Sequence, residues 1–256
     1  MVEKIVGGLV LAMLTYLGRT LWQNRRHLGL MLVLLVPWRR TRVSVAVLLR
    51  VHDEDRYVLF SSPTRPGAFG PPGGVVKYQE HGRAALERMG FEFEDRGAPA
   101  MRLDLRGYLP ASRVLGFARW LHRGIDREPA AECLRRELVE ELGEVGHEEL
   151  APLARDVTFR PVRRVVDGPM KVAGETYHQL RFIEVLDLVP DRPEAVELRT
   201  ALLSLAAAAP DGPGATVVTA TRKQISLGRA GVHVVLPQSA FLVGDRRFRG
   251  DIHPAT

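Results

Sequence analysis

Glu137, Glu140 and Glu141 lie in a stretch, Pro129 to Leu142, whose apolar residues recur at helical spacing. At about 100° per residue the three carboxylates gather on one side, while Ala131, Leu134, Leu138 and Leu142 form a stripe on another. Three like charges so close repel one another, and a hard divalent cation such as Mg2+ satisfies that kind of oxygen cluster. Arg136 is spaced to pair with Glu140 four residues on and with Glu132 four residues back. On spacing alone, a solvated amphipathic helix laced with Arg–Glu pairs competes with the metal reading.

The helix that would carry these groups follows Glu128, takes Pro129 at its first position, and is expected to stop at Gly143. Upstream, residues 63–74 (PTRPGAFGPPGG) form a Gly/Pro loop. Its Gly73 and Gly74 would let backbone amides approach a ligand closely. Arg65 and Lys77 flank that pair, and Arg106 ends an alternating stretch, so all three are candidate phosphate-binding cations. A surface loop that needs glycine for its turn, and an exposed arginine at a strand end, are the competing readings. Cys133 reads as a small packing residue, and as the only cysteine it forms no intramolecular disulfide. The eight histidines show no metal-ligand spacing, and there is no Walker-type loop. Arg246 to Arg249 reads as a solvated tail.

Around these residues, strands are predicted at 42–51, 56–61, 101–107, 157–166, 176–188, 216–221 and 232–236, the first two as a hairpin turned at Asp53–Asp55. Helices are predicted at 79–89, 110–122, 129–142 and 192–209. No internal repeat is visible. Interleaved strands and helices predict α/β or α+β layers.

The net charge of +6 suggests a nucleic-acid partner until it is located along the chain. Residues 1–42 hold seven cations (Lys4, Arg19, Arg25, Arg26, Arg39, Arg40 and Arg42) against Glu3, which accounts for the whole surplus. The remainder is neutral, which argues against duplex nucleic acid as a partner. The cations frame an apolar run. From Ile5 to Trp22 a helix would reach about 27 Å, close to a hydrocarbon core of about 30 Å. A cleaved signal peptide lacks a good small-x-small site after this run, and a buried soluble helix remains the other reading. Residues 28–38 would span only about 16 Å, too short to cross alone. They would lie in the interface or pair with the first helix. The expectation is therefore a membrane anchor at residues 1–41, with a single span at about 5–22 and residues 42–256 as the soluble domain. The arginines that follow the span place that domain in the cytoplasm, at the inner membrane of the cell.

Arg136-Glu137-Leu138-Val139-Glu140-Glu141-Leu142-Gly143 resembles the core of the Nudix box, and Glu128 matches the glutamate eight positions ahead of its arginine. Pro72-Gly73-Gly74 resembles the element that Nudix domains place ahead of the box. His122 stands where the box has glycine, Glu144 stands at its closing aliphatic position, and residues 75–127 look like an insertion that splits the motif. The order of features is an apolar N-terminus, a first strand, the Pro71–Tyr78 loop, Asp104-Leu105-Arg106, Phe117–Trp120 and the box. This order is similar to the SMODS-associated Nudix family, the membrane-linked Nudix proteins of bacterial cyclic-oligonucleotide antiphage systems (CBASS). The resemblance implies an α+β fold, a Nudix-type α/β/α sandwich with a mixed sheet, preceded by the transmembrane helix. It implies that Glu137, Glu140 and Glu141 hold Mg2+ and, in a hydrolase, act in catalysis. Arg136 and Glu128 would be structural. Gly73, Gly74, Lys77, Arg65 and Arg106 would meet the ligand. It further implies a sensor-effector that binds a cyclic oligonucleotide or related nucleotide, self-associates as a homo-oligomer and perturbs the lipid bilayer. A membrane-anchored, Mg2+-dependent hydrolase of nucleoside-diphosphate-linked substrates is the alternative.

Overall fold

The computed structural model describes Thr15, residues 39–94, residues 101–209, Gly212 and residues 214–250. The expected membrane span at about 5–22 and the apolar segment 28–38 lie outside them, Thr15 apart. Among the described residues no helix is long and apolar enough to cross a membrane.

The first half of the domain contains strands β1 (Arg40–Arg50), β2 (His52–Asp53), β3 (Arg56–Ser61), β4 (Ala68–Gly70) and β5 (Gly73–Val75). It continues through helix α1 (Arg83–Arg88), β6 (Glu92–Phe93), β7 (Arg106–Pro110), and helices α2 (Val114–Arg123), α3 (Ala130–Glu144) and α4 (Ala151–Arg155). The second half adds β8 (Thr158–Lys171), β9 (His178–Val189), α5 (Pro193–Ala207), β10 (Val217–Thr221), α6 (Arg222–Leu227), β11 (Arg229–Ala230), β12 (His233–Val235) and α7 (Ala240–Val243). The fold is α+β, as expected, but among the described residues it has two mixed sheets where one was expected.

The larger sheet runs β6-β7-β1-β9-β8, with β5 also paired to β1. Its centre is β1, which is nearly continuously apolar from Val43 to Leu49 and buried along most of its length, as befits a strand covered on both faces. β9 lies parallel to it over Thr41–Arg50, while β7 and β5 share its other edge, at Arg40–Ser44 and Ala46–Leu48 respectively. The smaller sheet runs β10-β3-β4-β12-β11, with β2 paired to β3.

The hairpin expected from residues 42–61 forms only at its tip. The Asp53–Asp55 turn closes the two-residue ladder β2–β3, and β3 then leaves for the smaller sheet. β1 is already flanked on both edges, by β9 on one and by β7 and β5 on the other, so no edge is left for β3. The strand expected at 101–107 begins at Arg106 instead. Residues 101–105 are a turn, because Leu105 and Asp104 hydrogen-bond back to Val76 and Met101.

Two apolar clusters hold the layers together. Val43, Val45, Val47 and Leu49 of β1 and Leu180 and Phe182 of β9 pack on Phe117, Leu134, Leu138 and Leu202 from the helices. On the opposite side, Leu48, Val165, Ile183 and Val185 meet Tyr57, Leu59, Phe69 and Val235 of the smaller sheet. Cys133 is fully buried in the first cluster, and burial pushes its thiol pKa up, which suits a packing role. The segment expected to be a solvated tail is partly docked. Arg247 lies over Phe241 and pairs with the buried Asp167 at 2.7 Å.

Candidate functional site

Helix α3 buries Cys133, Leu134, Leu138 and Leu142. That leaves Arg136, Glu137 and Glu141 to face the strand before it. The helix starts one residue after Pro129 and runs past Gly143 to Glu144. The turn that ends it uses Gly146, at φ +79°, where a left-handed backbone favours glycine.

Arg136 is the hub of this face. Its Nε and Nη2 donate to the two oxygens of Glu128 at 3.1 and 3.0 Å, its Nη1 donates to Glu137 at 2.6 Å, and Nη2 also reaches the Val75 carbonyl at 3.2 Å. Glu128 in turn accepts from the Lys77 amide at 3.2 Å, and its own amide donates to the Lys77 carbonyl. Burial works against the Arg136 charge, yet the hydrogen bonds it donates to Glu128 and Glu137 raise its pKa overall. Arg136 also lies 3.6 Å from Glu140, as expected, but Glu132 pairs with Arg135 instead. This bidentate, part-buried network clamps the N-terminal half of α3 to β5.

The two glycines of β5 are there for different reasons. Gly73 has φ +147°, and a Cβ there would sit 2.1 Å from the Val47 carbonyl oxygen. Its amide donates to Glu141 Oε2 at 2.8 Å. At Gly74 a Cβ would fall 1.9 Å from the Glu137 carboxyl carbon, so the missing side chain makes room for Glu137. Burial raises the Glu137 pKa, with Arg136 opposing and Glu140 and Asp104 adding to the rise. Burial also pushes Glu141 well above the ordinary carboxylate range. The Gly73 amide opposes this, and Glu137, Glu144 and Glu140 reinforce it. Two desolvated carboxyls thus converge on the Gly73–Gly74 strand. Glu140, with a side chain 53% exposed, does not join them. No group of three or more His, Cys, Asp or Glu side chains that could hold a metal ion occurs among the described residues.

Gly73, Gly74 and Glu141 line a cleft of about 400 Å³ between the two sheets. Its other walls are the β3–β4 loop, with Ser62, Thr64 and Arg65, and the near face of the larger sheet, with Arg42, Ser44, Arg106, Gln179 and Arg181. Four arginines therefore face one carboxylate. Arg42 pairs with Glu94 at 2.7 Å, Arg106 with Asp104 at 3.8 Å and Arg181 with Asp167 at 3.7 Å, and none of these three acids lines the cleft.

Of the residues expected from the sequence, Gly73, Gly74, Glu141, Arg65 and Arg106 share the cleft, and Glu137 packs beside Gly74. Glu128, Arg136 and the Lys77 backbone form the clamp behind it, and the Lys77 side chain is not part of the lining. Arg42, Ser44, Gln179, Arg181 and Gln238 were not anticipated. The signal for the first four was present: polar residues two apart in otherwise apolar strands mark a face that is not packed.

A family model described as the SMODS-associated NUDIX domain matches residues 40–243. No curated protein and no solved structure matches the chain.

Proposed function

The chain belongs to the SMODS-associated NUDIX family, and from that membership we propose that it is a membrane-tethered sensor-effector whose cleft binds a cyclic oligonucleotide or related nucleotide. Ligand binding drives self-association, and residues 1–41 then perturb the inner membrane as part of an antiphage response. The observation that carries the ligand reading is the cleft itself, with the Gly73–Gly74 strand and Glu141 at one wall and four arginines at the others. A pocket of a few hundred Å³ with a small number of placed polar groups suits a small-molecule ligand, and its charge suits phosphates. The apolar run at 5–22 with its trailing arginines supports the membrane half of the reading.

Glu137 and Glu141 both reach the Gly73–Gly74 strand and, once ionised, would offer Mg2+ two carboxylates, as many as it commonly takes, with its shell completed by water and ligand phosphates. When bound, it would neutralise phosphate charge beside Gly73. The hydrolase alternative draws on the same pair, but the third glutamate of the box stands apart from it.

Calorimetry of the full chain in detergent micelles, against a panel of cyclic di- and trinucleotides, tests the sensor reading. Saturable binding of one panel member is expected, and no heat up to high micromolar ligand defeats it. Turnover separates the alternative. Mg2+-dependent phosphate release from nucleoside-diphosphate compounds that Glu141→Gln abolishes would establish a hydrolase.

A further inference from the structure

Alternation along β1 and β9 sends one set of side chains to the helices and the other to the cleft. The cleft set is Arg42, Ser44 and Ala46 on β1, and Gln179, Arg181 and Ile183 on β9. The parallel register puts Arg42 beside Gln179 and Ser44 beside Arg181. The antiparallel register of β7 puts Arg106 on the other side of Ser44. A row Arg106–Ser44–Arg181 thus crosses three strands, and Arg42–Gln179 lies one step along the same face.

Two members of this face have no reason to be there if only folding counts. Ser44 is 8% exposed and Gln179 is 6% exposed. Both line the cleft. Their hydroxyl and amide are donors open to whatever enters the cleft. The flanking arginines are built for the same visitor. Glu94, Asp104 and Asp167 orient Arg42, Arg106 and Arg181 from outside the lining, and Arg247 steadies Asp167 in turn.

We infer that the Arg106–Ser44–Arg181 row, with Arg42 and Gln179, is a phosphate subsite that grips a phosphate or phosphodiester of the ligand through guanidinium, hydroxyl and amide donors and needs no divalent cation. It is separate from the Glu137–Glu141 pair at the Gly73–Gly74 wall. It rests on the proposed function in one respect, that the cleft receives a phosphorylated ligand, and deepens it by dividing the cleft in two. One end is cationic and holds an anion directly. The other is acidic and is the only end whose contribution depends on Mg2+.

Inorganic pyrophosphate is the probe, titrated calorimetrically into the full chain in detergent micelles with EDTA present. Saturable binding is expected. Arg181→Gln and Arg106→Gln should each weaken it at least tenfold. Ser44→Ala should weaken it severalfold, with thermal unfolding used to show that each variant is folded. Arg83→Gln, an exposed arginine outside the cleft, should leave it unchanged. Absence of binding in EDTA, or an equal loss in Arg83→Gln, overturns the subsite. Cyclic-nucleotide binding that survives Arg181→Gln while pyrophosphate binding is absent would leave the sensor reading standing and remove the subsite. Pyrophosphate binding that depends on the row, with no response to any cyclic nucleotide, would do the reverse.

Discussion

The two faces of β1 and β9 are made from the same backbone, one residue apart, and are built to different rules. Towards the helices stand Val43, Val45, Val47, Leu49, Leu180 and Phe182, all buried against apolar neighbours. Towards the smaller sheet, Leu48, Ile183 and Val185 pack at one end, but the other end carries Arg42, Ser44, Gln179 and Arg181. The first face is a core and earns stability from burial at about 25 cal/mol per Å². The second stops being a core halfway along, setting arginine, serine and glutamine where a packed sheet would have put Val or Leu. A fold tolerates that departure from local consistency where it serves a ligand. The difference locates the site without reference to any motif.

The comparison can be broken first on the helix face. Val43 is fully buried, so Val43→Asn should strand an amide in an apolar layer and cost about 4 kcal/mol. Urea unfolding followed by tryptophan fluorescence measures it, and a cost below about 1 kcal/mol would mean that this face is not the core described. Next comes the wall of the cleft. Gly73→Ala combines a disfavoured φ with a Cβ only 2.1 Å from a backbone oxygen that cannot step aside, so about 3 kcal/mol is expected in the same assay. Gly74→Ala displaces only the mobile end of Glu137. It should cost less stability than Gly73→Ala, and the two variants ranked the other way would contradict the geometry of β5.

How much of this was legible beforehand follows from what each residue's neighbours are. Helix α3 was placed to within two residues at either end, because its apolar stripe, its leading proline and its charge pattern are local. The strand at 42–51 was legible for the same reason. Its partners were not. Pairing with β9, more than a hundred residues away, is decided by which faces remain unburied after the helices pack, and no local pattern states that. β4 and β5 were hidden in a Gly/Pro loop, since a three-residue strand is held by its ladder to β1 or β3 and carries little propensity of its own. Helix α6 was missed although Thr221 and Gln224 form a capping box that could have signalled it. At the site, the glutamates, glycines and arginines of the motif region were named, whereas Arg42 and Arg181 were not. One was counted as part of the membrane-proximal charge, and the other sits in the strand predicted at 176–188, whose residues were not assigned to a face.

The acidic end of the cleft offers a pH test of smaller size. Burial raises the Glu141 pKa in the folded state above its unfolded value. A carboxyl raised in this way lends stability that is present below the ordinary value near 4.5 and is lost as pH rises through the folded pKa. Glu141→Gln removes the titration but keeps an acceptor for the Gly73 amide. Relative to the native chain, the variant should be more stable by on the order of 1 kcal/mol at pH 8, and the gap should close or reverse near pH 4. Thermal unfolding at the two pH values decides it. A gap that widens on acidification would place an ionised, stabilised Glu141 in the fold and contradict the desolvated pair.

The smallest expected effect is the most discriminating, because the two faces predict opposite signs for it. Ser44 is buried, as its neighbours on the core side are, and truncating a buried side chain on that side would cost stability through lost contacts. On the cleft side its hydroxyl borders the cavity, so Ser44→Ala removes a group that faces the cleft rather than one packed within the sheet. The unfolding free energy should therefore change by less than about 0.5 kcal/mol, or rise slightly, even as pyrophosphate binding weakens. A loss above about 1 kcal/mol would show that the hydroxyl supports the sheet, and the polar half of this face would then be structure rather than site.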